Sequence, residues 1–112
     1  GERFVRYRIE LARGLRSLYS SNLLRLLMTQ KDTRFLAITL ADFRHAMEVP
    51  ETYRYADITR RVIAVAVKEL CEKTELDVQC QEVKKGRSVH SLRFTFAPKP
   101  KPPQEPLFNE EA

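Results

Sequence analysis

A chain of 112 residues with 43% hydrophobic and 31% charged residues has enough apolar material for one domain with a modest core, and too much for a disordered polymer. No apolar run nears the length of a membrane span and no secretory leader is visible, so the expectation is a cytoplasmic protein without a membrane partner. The net charge is +5; residues 98–112 set two lysines against three glutamates, so residues 1–97 carry +6. A small basic body suits a polyanion, most often nucleic acid, although surplus lysine also aids solubility.

The chain begins Gly1-Glu2 and not with Met, so sequence upstream is expected. Phe4 to Arg8 alternates apolar residues with arginine, a short strand or extended lead-in, and Ile9 to Leu15 reads as a short helix weakened by Gly14. Ser20 or Ser21 offers an N-cap for a helix over Asn22 to Gln30, whose Leu23, Leu24, Leu26, Leu27 and Met28 make it apolar on most sides. Lys31-Asp32-Thr33 is a polar break, and Phe35 to Ile38 a small strand. Thr39 caps a helix over Leu40 to Met47, with Asp42 in its first turn favoured by the helix dipole. Val49-Pro50-Glu51 ends that helix.

The next stretch, Tyr53 to Thr74, predicts one long helix. Ile58, Val62, Ile63, Ala66, Val67 and Leu70 recur at spacings that form a core-facing stripe, and Arg54, Arg60, Arg61 and Lys68 lie on the other side. Such a helix is either buried with a solvated charged face or suited to the major groove of DNA. After Thr74 the period becomes two. Leu76, Val78 and Cys80, then Leu92, Phe94 and Phe96, alternate with polar residues on either side of Lys84-Lys85-Gly86. This predicts a β-hairpin with a basic tip of Lys84, Lys85 and Arg87, and with His90 and Arg93 along one arm.

The order helix, helix, short strand, helix, long helix, hairpin describes an α+β winged helix-turn-helix over residues 1–97. Residues 40–47 would be the supporting helix and 53–74 the recognition helix, with the wing tip at the phosphate backbone. No catalytic constellation is visible: there is no Gly-rich phosphate loop and no HExxH, and the carboxylates are scattered. Tyr53 and Tyr55 flank Arg54 as conceivable strand-transfer nucleophiles, but tyrosines so placed more often pack against the fold or touch a phosphate. Cys71 and Cys80 form no CxxC pair and have no histidine close in sequence, so no metal or cofactor is expected and both read as small, partly buried side chains.

Three segments, LRSLYSSNLLRLL (15–27), TLADFRHAMEVPETYRYADITRRVIAVAVKEL (39–70) and KKGRSVHSLRFTF (84–96), resemble the iteron-binding plasmid replication initiators, the Rep proteins. The likeness extends over about residues 4–96 and is to the C-terminal of their two winged-helix domains. It implies binding of repeated double-stranded DNA at a plasmid origin in bacteria, and recruitment of host replication proteins. By position it puts Arg54, Thr59, Arg60 and Arg61 nearest the bases, Tyr53 and Lys68 at phosphates, and Lys84, Lys85 and Arg87 in the wing. The chain departs from the family where Ile58 replaces a common phenylalanine and Val65 a common proline. The N-terminal winged helix is absent, so dimerisation and repression are not assigned to this piece.

From Pro98 the composition shifts to PKPKPPQEPLFNEEA, five prolines in fifteen residues, which reads as a flexible tail. Within it Gln104, Leu107 and Phe108 resemble the Q-x-x-L-F peptide that docks on the bacterial sliding clamp, with Glu105 and Pro106 as departures from it. The alternative for the tail is that Leu107 and Phe108 fold back onto the domain or do nothing. Alternatives for the whole chain are a transcriptional regulator on a promoter operator and a winged-helix protein–protein module.

Overall fold

Among the described residues, serine, threonine and carboxylate side chains start the helices by taking up backbone donors that the first helical turn leaves unpaired. The computed structural model describes residues 15–100. Helix α1, Leu18–Met28, is capped by Ser17, whose Oγ accepts from the N–H groups of Tyr19 (3.1 Å) and Ser20 (3.4 Å). The sequence pointed to Ser20 or Ser21 as the cap; Ser20 is instead inside the helix and fully buried. The choice falls on Ser17 because Glu69 accepts the Arg16 and Ser17 N–H groups at 2.8 and 3.0 Å, anchoring the helix start there.

Strand β1, Phe35–Thr39, leads into helix α2, Leu40–Ala46, and Thr39 Oγ1 accepts the Asp42 N–H at 3.1 Å as the sequence predicts. The helix stops before Pro50 is reached. Glu48 takes a left-handed conformation (φ 55°), its N–H donates to the His45 carbonyl and the Val49 N–H donates to the Arg44 carbonyl. This is a Schellman closure with glutamate where glycine is usual.

Helix α3 covers residues 55–73 and begins two residues later than predicted, which leaves Tyr53 outside it. It has three contiguous parts: α over Tyr55–Asp57, π over Ile58–Ile63 and α over Ala64–Lys73. The Ala64 N–H reaches back five residues to the Thr59 carbonyl, and the Thr59 hydroxyl donates to the Tyr55 carbonyl at 3.1 Å. A side chain bonded into the ladder is one recognised cause of such a widening. A wider turn advances each residue less around the axis. Ile58, Val62, Ile63, Ala66 and Leu70 thereby share one narrow face and all are buried.

Strands β2, Leu76–Lys85, and β3, Ser88–Pro98, form the predicted hairpin. Its two-residue loop is Gly86-Arg87, and Gly86 has φ +67° with open space around its missing Cβ, so backbone conformation alone selects glycine there. β1 joins the far side of β3, giving an antiparallel sheet in the order β1-β3-β2 with Leu36 opposite Phe94. Val78, Leu92, Phe94 and Phe96 point into the core, where Phe94 stacks on Phe43 with ring centroids 5.8 Å apart. Helices on one face of a three-stranded sheet, with a long hairpin beyond the last helix, make this a winged helix.

Candidate nucleic-acid interface

The front of α3 is assembled around Asp57. One oxygen of its carboxylate accepts the Arg54 N–H at 3.0 Å, closing the start of the helix, and the other pairs with the Arg60 guanidinium at 3.2 Å. Arg60 keeps 64% of its side chain exposed, so the pairing orients the guanidinium without covering it. Arg61 lies over the Tyr53 ring, with its guanidinium carbon 5.5 Å from the centroid, a cation–π distance. The Tyr53 phenol as hydrogen-bond acceptor, and then the Asp57 carboxylate, hold the Arg61 guanidinium above its ordinary pKa. The Tyr53 carbonyl accepts from Arg44 of α2 at 3.0 Å, which fixes the loop carrying the ring. Arg54, Thr59, Arg60 and Arg61 are all exposed. Thr59 is less available than the others, because its hydroxyl already donates to the Tyr55 carbonyl.

Lys84, Lys85 and Arg87 stand exposed at the hairpin loop, as predicted. Tyr55, at the first turn of α3, donates its phenol proton to Glu82 of β2 at 2.7 Å. Burial first, then the Glu82 acceptor, pushes the Tyr55 phenol up to about 12, so it remains a donor. The contact brings the basic helix front and the basic hairpin tip to one end of the domain. At the other end of α3 the Lys99 ammonium donates to the Cys71 carbonyl and the Lys99 N–H donates to the Glu75 carbonyl at 2.7 Å. α3 therefore runs alongside β2, with its front near the loop and its back where the chain leaves the sheet.

Lys68 is not part of the front group. It is eight residues behind Arg60, about 12 Å along a helix. It lines a shallow groove of about 470 Å³ with Arg16, Ser17, Val65, Glu69, Glu72 and Lys73. In that groove the Glu69 carboxylate accepts the Arg16 and Ser17 N–H groups and pairs with Lys73 at 3.4 Å; the Ser20 hydroxyl close by, and then these donors, lower its pKa to about 2. Gln104, Leu107 and Phe108 lie outside the described residues, as do the lead-in at 4–8, the helix expected from Ile9 except for Leu15, and the tail beyond Pro100. Asp57 and Glu82 are site residues the sequence does not single out, and Tyr55, noted as a conceivable nucleophile, instead bonds Glu82. Asp57 had a signal, an acid three residues after the cap position; the Tyr55–Glu82 pairing had none, since 27 residues separate the two. Among the described residues, no helix is long and apolar enough to cross a membrane.

Residues 39–96, just over half of the chain, match the family described as initiator Rep protein, WH2. No curated protein matches the chain. Among solved structures it is similar to the Pi initiator protein, crystallised in complex with iteron DNA. The identity is 21% and the TM-score 0.65, over 78% of this chain and 41% of that one, so the likeness establishes the fold and the chain spans about two-fifths of that protein's length. Over residues 39–96, from α2 through α3 to the end of the hairpin, the chain belongs to the initiator Rep protein WH2 family.

Proposed function

We propose that this domain binds double-stranded DNA in a sequence-specific manner, at repeated sites of a replication origin, as part of a plasmid replication initiator. The observation that carries the reading is the convergence of two basic elements at one end of the fold: Arg54, Arg60 and Arg61 on the front of α3, and Lys84, Lys85 and Arg87 on the hairpin loop. A helix front that projects oriented guanidinium groups suits hydrogen bonding to base edges, and flexible lysines on a loop suit phosphates. Origin repeats are the preferred target because the Pi initiator protein, similar in fold, was solved on iteron DNA and because the chain is a Rep family member. Charge reversal tests the assignment. Arg60→Glu with Arg61→Glu should eliminate repeat-selective duplex binding in a fluorescence anisotropy titration while thermal unfolding stays within a few degrees. Retained selective binding would mean that another surface reads the DNA.

The finer part of the proposal concerns the tail. Gln104, Leu107 and Phe108 would dock on the replicative sliding clamp, the two apolar side chains filling a pocket and the glutamine contacting its rim. The chain leaves the sheet at Pro98 and Lys99, the opposite end of the hairpin from Gly86 and so about 30 Å from it. Leu107→Ala with Phe108→Ala should remove clamp capture and leave DNA affinity unchanged; capture that persists in this double variant would remove the tail from the account.

A further inference from the structure

The bond between Tyr55 and Glu82 joins the two elements to which the proposed function assigns DNA contact. Among the described residues it is the one side-chain hydrogen bond between residues 54–63 and the hairpin. Glu82 is also an unexpected residue for its place. A carboxylate four residues before Gly86, on the arm that leads to three exposed cations, opposes the field that would attract phosphate. A role in holding geometry accounts for its presence there.

The hairpin needs a fixed point at this level. The register of β2 on β3 shifts between Val83 and Lys84, so that Val83 faces Ser91 while Lys84 faces Val89 and His90 is the additional residue. A bulge of this kind bends the ladder and raises its local twist. Beyond it only the rungs Lys84↔Val89 and Lys85↔Ser88 carry the loop. Glu82 is the second residue before the shift, so Tyr55 grips the strand just ahead of the bend. On the other side of the bond, Tyr55 opens α3 and its carbonyl accepts from Thr59, the first exposed residue of the π turn that carries Arg60 and Arg61. One bond thus ties the base of the wing to the turn holding the arginines.

We infer that Tyr55 and Glu82 are positioning residues that set the spacing between reading helix and wing, so that both engage the same stretch of duplex. The inference rests on the proposed duplex binding and adds to it a coupling between its two contact regions. When two contact regions are held at the right separation, the second engages at high effective concentration once the first has bound; when the separation is free, that gain is lost although every contact residue remains. Removing the strut therefore silences the wing without touching its lysines.

The test compares four full-length chains, the unaltered protein, Lys84→Ala with Lys85→Ala, Tyr55→Phe, and the combination, on one repeat-bearing duplex over a salt series. In the unaltered background, loss of the two lysines should lower affinity about tenfold or more at physiological salt and reduce the salt slope by roughly two. In the Tyr55→Phe background the same loss should cost less than about threefold, because the wing no longer contributes. Glu82→Gln retains an acceptor for the phenol and should preserve the full lysine effect, whereas Glu82→Ala should behave as Tyr55→Phe does. Glu82→Ala also supplies the comparison should Tyr55→Phe fail to fold. An equal lysine cost in both backgrounds, with a lowered unfolding midpoint for Tyr55→Phe, would overturn the inference and leave Tyr55 a residue of stability only. Failure of the unaltered protein to bind duplex at all is a different result, and it would remove the proposed function together with the inference.

Discussion

The two halves of α3 follow different rules. The rear half, Ala64–Lys73, buries Ala66 and Leu70, packs against α1, and is fastened to the start of α1 by Glu69 through two backbone N–H groups. The front half, residues 54–63, also buries Ile58, Val62 and Ile63, but apart from the Tyr55–Glu82 bond its polar side chains act locally: Asp57 on Arg60, Arg61 over the neighbouring Tyr53 ring, Thr59 on its own backbone. Contacts of the first sort tie distant parts of the chain together. Contacts of the second sort aim groups outward and add little to stability, since exposed ion pairs contribute only about 0–1 kcal/mol. Stability and the proposed recognition are thus divided along one helix, and they should respond to different substitutions.

The core beneath both halves gives the largest expected effect. Phe94 is fully buried and stacked on Phe43, so Phe94→Ala should destabilise by about 3–5 kcal/mol in denaturant titration. A loss under about 1 kcal/mol would show that the sheet face is not the centre of the fold.

Next is the rear fastening. Glu69→Ala leaves the Arg16 and Ser17 N–H groups without their acceptor and should cost about 2 kcal/mol, against less than about 0.5 kcal/mol for Arg60→Ala at the front. Equal costs would erase the contrast between the halves. Glu69 also predicts a pH limb. Its folded pKa of about 2 is below the ordinary carboxylate value, so the unfolded state binds the proton more readily. Its stabilising contribution is therefore complete above about pH 5 and is lost as pH falls toward 2. The unaltered protein should lose more stability over that interval than Glu69→Gln, measured by thermal unfolding at stepped pH; parallel curves would contradict the assignment.

The smallest effect is a gain. Glu48 holds φ 55° with no glycine to relieve it, so Glu48→Gly should stabilise by about 0.5–1 kcal/mol. Glu48 is not among the residues assigned to the interface, so DNA affinity should change little, which makes the substitution a control for the separation of the two roles.

Local chemistry was legible in the sequence and long-range choices were not. Thr39 three residues before Asp42 marked the α2 cap, and the structure has the predicted bond. The alternation Leu92, Phe94, Phe96 identified the buried face of β3, and Lys-Gly-Arg the loop. Ile58, Val62, Ile63, Ala66 and Leu70 of the predicted stripe are buried, while Val67 is only half-buried at its edge. The π turn escaped because the stripe spacing fits an α-helix equally well. Ser17 lost to Ser20 and Ser21 as a cap because the deciding acceptor, Glu69, is 52 residues away from it. The pairing of β1 with β3 rests on contacts between residues more than 50 apart, such as Leu36 and Phe94, and leaves no local mark. Lys68 shared the outer face of the predicted helix with Arg60, but periodicity does not reveal that α1 approaches there and makes its surroundings a mixed-charge groove.

The most direct test of the central claim, that the α3 front and the wing read duplex DNA together, is binding of the full chain over a salt series to an origin repeat array and to scrambled DNA of equal length. The account predicts tighter binding to the repeats, by a factor that persists as salt rises, on top of a steep common salt slope from phosphate contacts. Equal, weak and wholly salt-driven binding to both would contradict it, because the domain would then supply electrostatic grip without readout.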